Sequence, residues 1–467
     1  MTSHSESKLN NMPTAQVATD RSPSAAVSET QKSSSYAWYV VLVLMVCYTL
    51  SFVDRQILSL LVGPIKQDLG LSDTRIGLLQ GLAFGTFYTL LGLPMGRIAD
   101  RGNRRNLIVA GIFFWSLMTS LSSVARSFWS LFGARLGVGV GEATLGPSAF
   151  SLIADYFPRE RLGKALSVYS AGIFIGSALA LIVGGTVVSA VTGLPAVQVP
   201  IFGTIASWRL TFLIVGLPGI FIALLVYTIR EPLRRHALRG ADGQISHLNF
   251  AETYAQLRPR GVSVAGVSLG LGAQAMCTYA LQAWAPTFFI RVFGWTPRHV
   301  GMVLGVMILT TGIAGMYVGG TLCDRWQRHR SEAPLRVGVV STIGAGVFFG
   351  LALVIQNLSW TIPLLVPAFF FLAMPVGSSY AALQLIVPNQ LRGQVSALLL
   401  FTVNAIGLIG GPWLVGVLND LWGAKMVGYS LAITVGLASF VSAALFRVTY
   451  APYRRDYAMM HLENPER

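Results

Sequence analysis

Twelve apolar runs, each long enough to cross the hydrocarbon core of a bilayer, follow one another at 37–62, 75–97, 104–124, 128–156, 163–191, 208–229, 262–290, 299–322, 336–356, 359–385, 393–418 and 426–448. A backbone in hydrocarbon must satisfy its own hydrogen bonds, so runs of this length are expected as helices. At 467 residues the chain could hold two or three soluble domains, but 53 % hydrophobic and 11 % charged residues override that reading. The expected fold is an all-α membrane protein of twelve transmembrane helices in two six-helix halves. The longest polar interruption, Arg230 to Arg260, contains no run able to span and divides the helices six and six. The chain therefore parses into a polar, Ser-rich tail over 1–35, expected to be disordered, an N-terminal bundle over 36–229, a linker over 230–260, a C-terminal bundle over 261–448 and a second tail over 449–467. The first tail lacks the basic and short apolar segments of a cleaved signal peptide.

The formal charge of +15 does not gather into one patch and instead recurs in short clusters between the runs, which argues against nucleic acid as a partner and for topology signals. With the N-terminus inside, the inner loops hold eighteen Lys and Arg and the outer loops seven. Both termini are thus expected on the cytoplasmic side of the cell (inner) membrane. Cys47, Cys277 and Cys323 have neither disulfide-framework nor metal-ligand spacing. All six histidines lie in tails, linker or loops, so no histidine proton relay is expected in the membrane. No GxxxxGK[ST] loop and no catalytic constellation is present. Neither cofactor, metal nor enzyme activity is expected, and the chain is expected to act as a monomer among membrane lipids.

An internal repeat reinforces the division into halves. Gly96-Arg-Ile-Ala-Asp100-Arg101 follows the second run and Gly320-Thr-Leu-Cys-Asp324-Arg325 the eighth. Ser72 and Thr296, each a suitable N-cap, precede their aspartates by 28 residues, and Gly77 and Gly301 precede theirs by 23. Pro158 and Gly163 ahead of helix five likewise match Pro388 and Gly393 ahead of helix eleven. Parallel halves of this kind are found in transporters with a central binding site. The duplicated GxxxDR segments, with Arg104 and Arg105 after the first, resemble the loop signature of the major facilitator superfamily. An aspartate at a helix end can meet the positive start of a helix in the opposite half, helix eleven for Asp100 and helix five for Asp324. Gly96, Asp100, Arg101, Arg104, Asp324 and Arg325 are accordingly expected to form an inner gate.

Away from the ends of the runs, Asp54, Arg55, Arg135 and Glu142 are the charged residues, all in the first half. Charge at membrane depth marks a pathway or a packed bundle interior. Arg135 and Glu142 share one helix face about 10 Å apart, with Gly137, Gly139 and Gly141 between them allowing close helix approach. Counting from the helix ends puts Asp54 and Arg135 at similar depth, so an Asp54–Arg135 ion pair is expected. Glu142, nearer the midplane and without an assigned cation, is expected to be the better proton carrier. Away from the ends of its runs, the second half offers only neutral polar groups. Gln274, Tyr279, Thr310, Ser378, Tyr380 and Asn404, with Tyr169 of the first half, are candidate cavity residues. Trp284-Ala-Pro286 and Gly410-Gly411-Pro412 are candidate breaks in helices seven and eleven.

The chain resembles the Spinster branch of the superfamily, in a prokaryotic-type form. The resemblance rests on Phe52-Val-Asp54-Arg55, Gly96 through Arg104, Phe114-Trp115-Ser116-Leu117, Arg135 through Ala143, Leu152-Ile-Ala-Asp155 and Ala283-Trp-Ala-Pro286. It implies transport of a lipid-like substrate, such as a lysophospholipid or a sphingoid phosphate, in some relatives with proton coupling. Helix five reads Gly172-x3-Gly176-Ser177 where drug/proton antiporters usually show Gly-Pro, so that signature does not make this chain an antiporter. The alternative expectation is a proton-coupled transporter of a small organic anion with Arg135 as the anion site. A non-transporting receptor or scramblase fits the duplicated gate and buried charges less well.

Overall fold

The computed structural model describes residues 23–192, 197–199, 203–232, 257–375, 378–388 and 391–463. Among these, eleven helical segments are long and apolar enough to cross a membrane. We number the spans α1 (Pro23–Leu60), α2 (Asp73–Arg101), α3 (Arg104–Leu121), α4 (Phe128–Tyr156), α5 (Arg159–Thr192), α6 (Ser207–Val226), α7 (Gly261–Phe293), α8 (Pro297–Gln327), α9 (Ala333–Ile355), α10 (Leu358–Ala373 with Ser378–Ile386), α11 (Arg392–Trp422) and α12 (Val427–Glu463). α10, in two shorter pieces, completes the twelve. A hairpin, Val197–Val199 paired antiparallel with Gly203–Ile205, precedes α6. Most of the linker, 233–256, lies outside the described residues.

Helix limits differ from the expectation at both ends of the chain. α1 begins at Pro23, inside the stretch expected to be disordered, and α12 continues to Glu463, inside the second tail. A helix can run past the apolar stretch because its backbone bonds are internal and need no lipid. The repeat is visible in the caps: Ser72 Oγ accepts from Arg75 N at 3.2 Å and Thr296 Oγ1 from His299 N at 3.3 Å.

Apolar side chains point both ways, since lipid tails are as apolar as a protein core. On α9, Ile343, Val347, Leu351 and Val354 are exposed in a helical stripe, while Ala345, Phe349 and Ala352 are buried on the other face. One apolar cluster runs through both halves, including Ile57, Leu181, Trp284, Val300 and Val415.

The two halves meet at the face opposite the chain termini. A Cβ on Gly77 of α2 would strike the Pro412 carbonyl of α11, and one on Gly301 of α8 would strike the Leu181 carbonyl of α5. These are the two glycines matched by the repeat, each used against the other half. Charge closes the same face: Asp73, fully buried, receives Lys66 at 2.7 Å and both Nη atoms of Arg291 at 2.5 and 2.9 Å. Asp420 at the end of α11 accepts from the first backbone N–H groups of α2, Asp73 N at 2.9 Å and Thr74 N at 2.8 Å, an anion at a helix N-terminus. Toward the face carrying the termini the halves part, and a Cβ on Gly163, Gly320 or Gly393 meets nothing within 4 Å. The molecule is closed at one face and open at the other.

Gly301→Val should destabilise this closed face by about 1–3 kcal/mol through overpacking, a shift in the population of closed molecules of tenfold or more at the middle of that range. Spin labels at the adjoining ends of α5 and α8 would show a longer-distance population, with Gly320→Val as an unaffected control. Identical distance distributions for the two variants would refute the role of this contact.

Candidate functional site

The site is built on α4. Ser127 and Ser130 form a capping box at its start, and the helix turns between Glu142 and Leu145, where Thr144 Oγ1 donates to the Gly141 carbonyl at 2.8 Å. Pro147 explains the turn, since its ring displaces the carbonyl four residues back, that of Ala143. The three glycines serve as expected. A Cβ on Gly137 would meet Met118 of α3, one on Gly139 the Phe84 carbonyl of α2, and one on Gly141 Trp115 of α3. Their absence of side chains lets α2 and α3 close over the charged face of α4.

The four buried charges do come together, but their pairing is the reverse of the expected one. Glu142 has a cation: its Oε2 receives Arg55 Nη2 at 2.5 Å, Arg55 Nε at 2.6 Å and Ser51 Oγ at 2.9 Å. Arg135 reaches Asp54 only through the backbone, Nη1 donating to the Asp54 carbonyl at 3.1 Å. Both carboxylate oxygens of Asp54 are buried without a hydrogen-bond partner among the described residues, as are Glu142 Oε1 and Arg135 Nε. Asp54 and Arg55, neighbours in sequence, point about 100° apart on their helix. Asp54 faces the bundle interior beside Trp115, while the longer Arg55 reaches Glu142. The Arg55 guanidinium also stands 4.6 Å from the Phe84 and Tyr88 ring centroids and 5.2 Å from that of Phe52. This aromatic seat suits a cation, and the Arg55 side chain retains 12 % exposure.

The family model of the Major Facilitator Superfamily matches residues 44–412. Protein spinster homolog 1 of Bos taurus is 30 % identical over 83 % of this chain and 74 % of its own length. The chain belongs to the major facilitator superfamily, in its Spinster branch. An MFS-type efflux pump of Mycolicibacterium smegmatis is 29 % identical over 90 % of this chain and 94 % of that protein. A probable L-galactonate transporter of Escherichia coli is 27 % identical over 70 % of each. Among solved structures, a bacterial homolog to the human lysosomal transporter Spinster, in an inward-facing and unoccupied conformation, superposes with a TM-score of 0.73 at 25 % identity, covering 91 % of this chain and 97 % of that one. This Spinster-branch chain is therefore a transporter and not an enzyme.

The residues expected to form the inner gate are apart. Asp100, Arg101, Asp324 and Arg325 are exposed on the open face, and neither aspartate has an ion pair among the described residues. Gly96 is half-buried, its nearest neighbour Pro147 Cβ lying 3.9 Å from a built Cβ. Arg104 is a correction of another kind. It is 1 % exposed and binds Asp155 at 2.5 Å, Glu231 at 2.7 Å and Ser151 Oγ at 2.9 Å. It thus ties α3, the end of α4 and the chain after α6 within one half.

Of the expected cavity residues, Tyr169 is buried, its ring stacked on Tyr48 at 4.9 Å. Tyr279 crosses to pack on the core of the first half, near Arg55. Gln274 is turned into its own bundle toward Ser341, at 3.5 Å. Thr310 lies in an apolar groove between α8 and α10. Asn404 is buried within a π-helical segment, Val403–Ile409. The side chains of Ser378 and Tyr380 fall outside the described residues. α7 runs unbroken through Pro286, and in α11 the distortion precedes Gly410. A second π segment, Leu79–Ala83 in α2, faces it, with Gly81 against the Leu408 carbonyl. No feature of the sequence marked either π segment, Ser51 or the ring seat.

Arg55→Ala strands Glu142 and should cost about 3–5 kcal/mol, while the double variant Arg55→Ala/Glu142→Gln should recover much of it. Thermal unfolding in detergent checks this. A single variant as stable as the double would mean that the pair is not buried.

Proposed function

We propose that this chain is a secondary active transporter of an amphipathic, lipid-like substrate of the lysophospholipid or sphingoid phosphate type, working by alternating access and coupled to protons. The observation that carries the reading is Arg55, partly exposed, seated among aromatic rings and held by a carboxylate that can be protonated. An anionic headgroup can take the place of Glu142 on the guanidinium, and a proton on Glu142 would release the arginine for it. Asp54, buried with no ion pair among the described residues, is a second group whose energy depends strongly on a proton. The second half presents no charge at mid-membrane depth among its described residues and suits an acyl chain. The Spinster-branch relatives support the transporter part of this reading. With the termini in the cytoplasm of a cell membrane, as the loop charges favour, the open face is the inward one. The inner gate at Asp100 and Asp324 would then form in the outward-facing state. The chain would act as a monomer.

The relative named as a probable L-galactonate transporter favours a second reading, in which a small organic anion occupies the arginine site alone. Uptake into proteoliposomes distinguishes the two. The lipid reading expects affinity to rise with acyl length, about 0.8 kcal/mol per buried methylene, and no competition by sugar acids. Asp54→Asn should retain substrate exchange yet lose its response to an imposed pH gradient, because Arg135 keeps its bond to the Asp54 backbone. Glu142→Gln, which mimics the protonated carboxyl and frees Arg55, should likewise retain exchange and lose its response to the gradient. Full pH-driven uptake by both variants would remove these carboxylates from the coupling mechanism.

A further inference from the structure

α9 and α12 pack side by side on the outside of the second half and leave a groove of about 620 Å³ between them. Its walls are apolar and open outward: Ile343 and Val347 of α9 are 53 % exposed, and Phe440 of α12 is 74 % exposed. The polar groups along it are turned away and satisfied. Thr342 Oγ1 donates to the Gly338 carbonyl at 2.9 Å, and Ser439 Oγ meets Cys277 Sγ at 3.4 Å. Behind it Phe446 fills the space between α7 and α9, its ring lying within 3 Å of a Cβ built on either Gly270 of α7 or Gly338 of α9.

One end of this apolar groove carries positive charge. Arg447 lines it and is exposed, with no ion-pair partner among the described residues. Arg336 flanks the same ring, both guanidinium carbons standing 5.2 Å from the Tyr450 centroid, but Arg336 is already paired to Glu332 at 2.8 Å. From Arg447 to Gly436, where a Cβ would meet nothing within 4 Å, α12 rises about 16 Å, close to the half-thickness of a hydrocarbon core of about 30 Å. We propose that the groove between α9 and α12 is a binding site for one anionic phospholipid of the leaflet on the side of the termini, its headgroup phosphate on Arg447 and an acyl chain along Ile343, Val347 and Gly436. The unpaired arginine supplies the charge complementarity, and the groove supplies one leaflet's length of apolar contact. The site is separate from the substrate pathway and does not depend on which substrate is carried.

The full chain would be reconstituted into phosphatidylcholine vesicles doped with phosphatidylglycerol or phosphatidylcholine bearing a photoactivatable acyl chain, and labelling of α9 and α12 peptides quantified. The expected result is at least threefold more label from phosphatidylglycerol. Arg447→Gln, at an exposed position, should bring the two lipids to equal labelling. Gly436→Trp, projecting into open space, should reduce label from both at least fivefold with unchanged thermal unfolding. Equal labelling of the unmodified protein by both lipids would mean ordinary solvation by the bilayer, and a preference that survives Arg447→Gln would place the headgroup elsewhere. Absent lipid label together with a disulfide between copies through Phe440→Cys would make the groove a protein interface. Any of these three overturns the proposal.

Discussion

The buried ion pair between Arg55 and Glu142 is the interaction on which the charged half depends. An arginine at mid-membrane depth is costly by about 2.5–3.5 kcal/mol even on insertion scales, and this one is compensated from several directions at once. Glu142 neutralises it, Ser51 adds a donor to the same carboxylate oxygen, and three rings present their faces. Phe84 and Tyr88 reach the guanidinium because Gly139 of α4 admits the backbone of α2. Close helix packing and charge stabilisation are one arrangement here.

The same economy of small residues governs how the halves meet. Gly77 and Gly301 hold matching places in the repeat, and each lets its helix lie against a carbonyl of the other half, at α11 and α5. α2 is engaged at one end only: Asp420 accepts from its first N–H groups, whereas Asp100 at its other end is exposed. These are backbone approaches, and the Asp73–Arg291 bridge supports them. The two facing π segments in α2 and α11 lie where the halves cross, in the kind of helix irregularity often found at functional positions.

Arg104 shows how a motif residue can be read too broadly. Its place after the GxxxDR segment suggested a gate between the halves, yet it is buried within one half, bound to Asp155 and Glu231. It fixes the geometry of a single bundle, the one that carries Asp100.

Much of this was present in the sequence because bilayer thickness, helix pitch and close packing act locally. Run lengths determined the spans, the repeat determined the two halves, Ser72 and Thr296 announced their caps, and the alternating glycines of α4 announced close helix neighbours. The identities of the four buried charges were also legible, since such residues in apolar runs are few. Their pairing was not. Depth counted from helix ends is uncertain by about a turn, 5.4 Å, and an arginine side chain reaches as far, so either arginine could be assigned to either carboxylate. Only the packed arrangement of α1, α2, α3 and α4 decided that Arg55 takes Glu142 and that the Asp54 carboxylate is left without an ion pair among the described residues. Which face stands open was equally beyond the sequence, because it is set by the relative placement of the two halves.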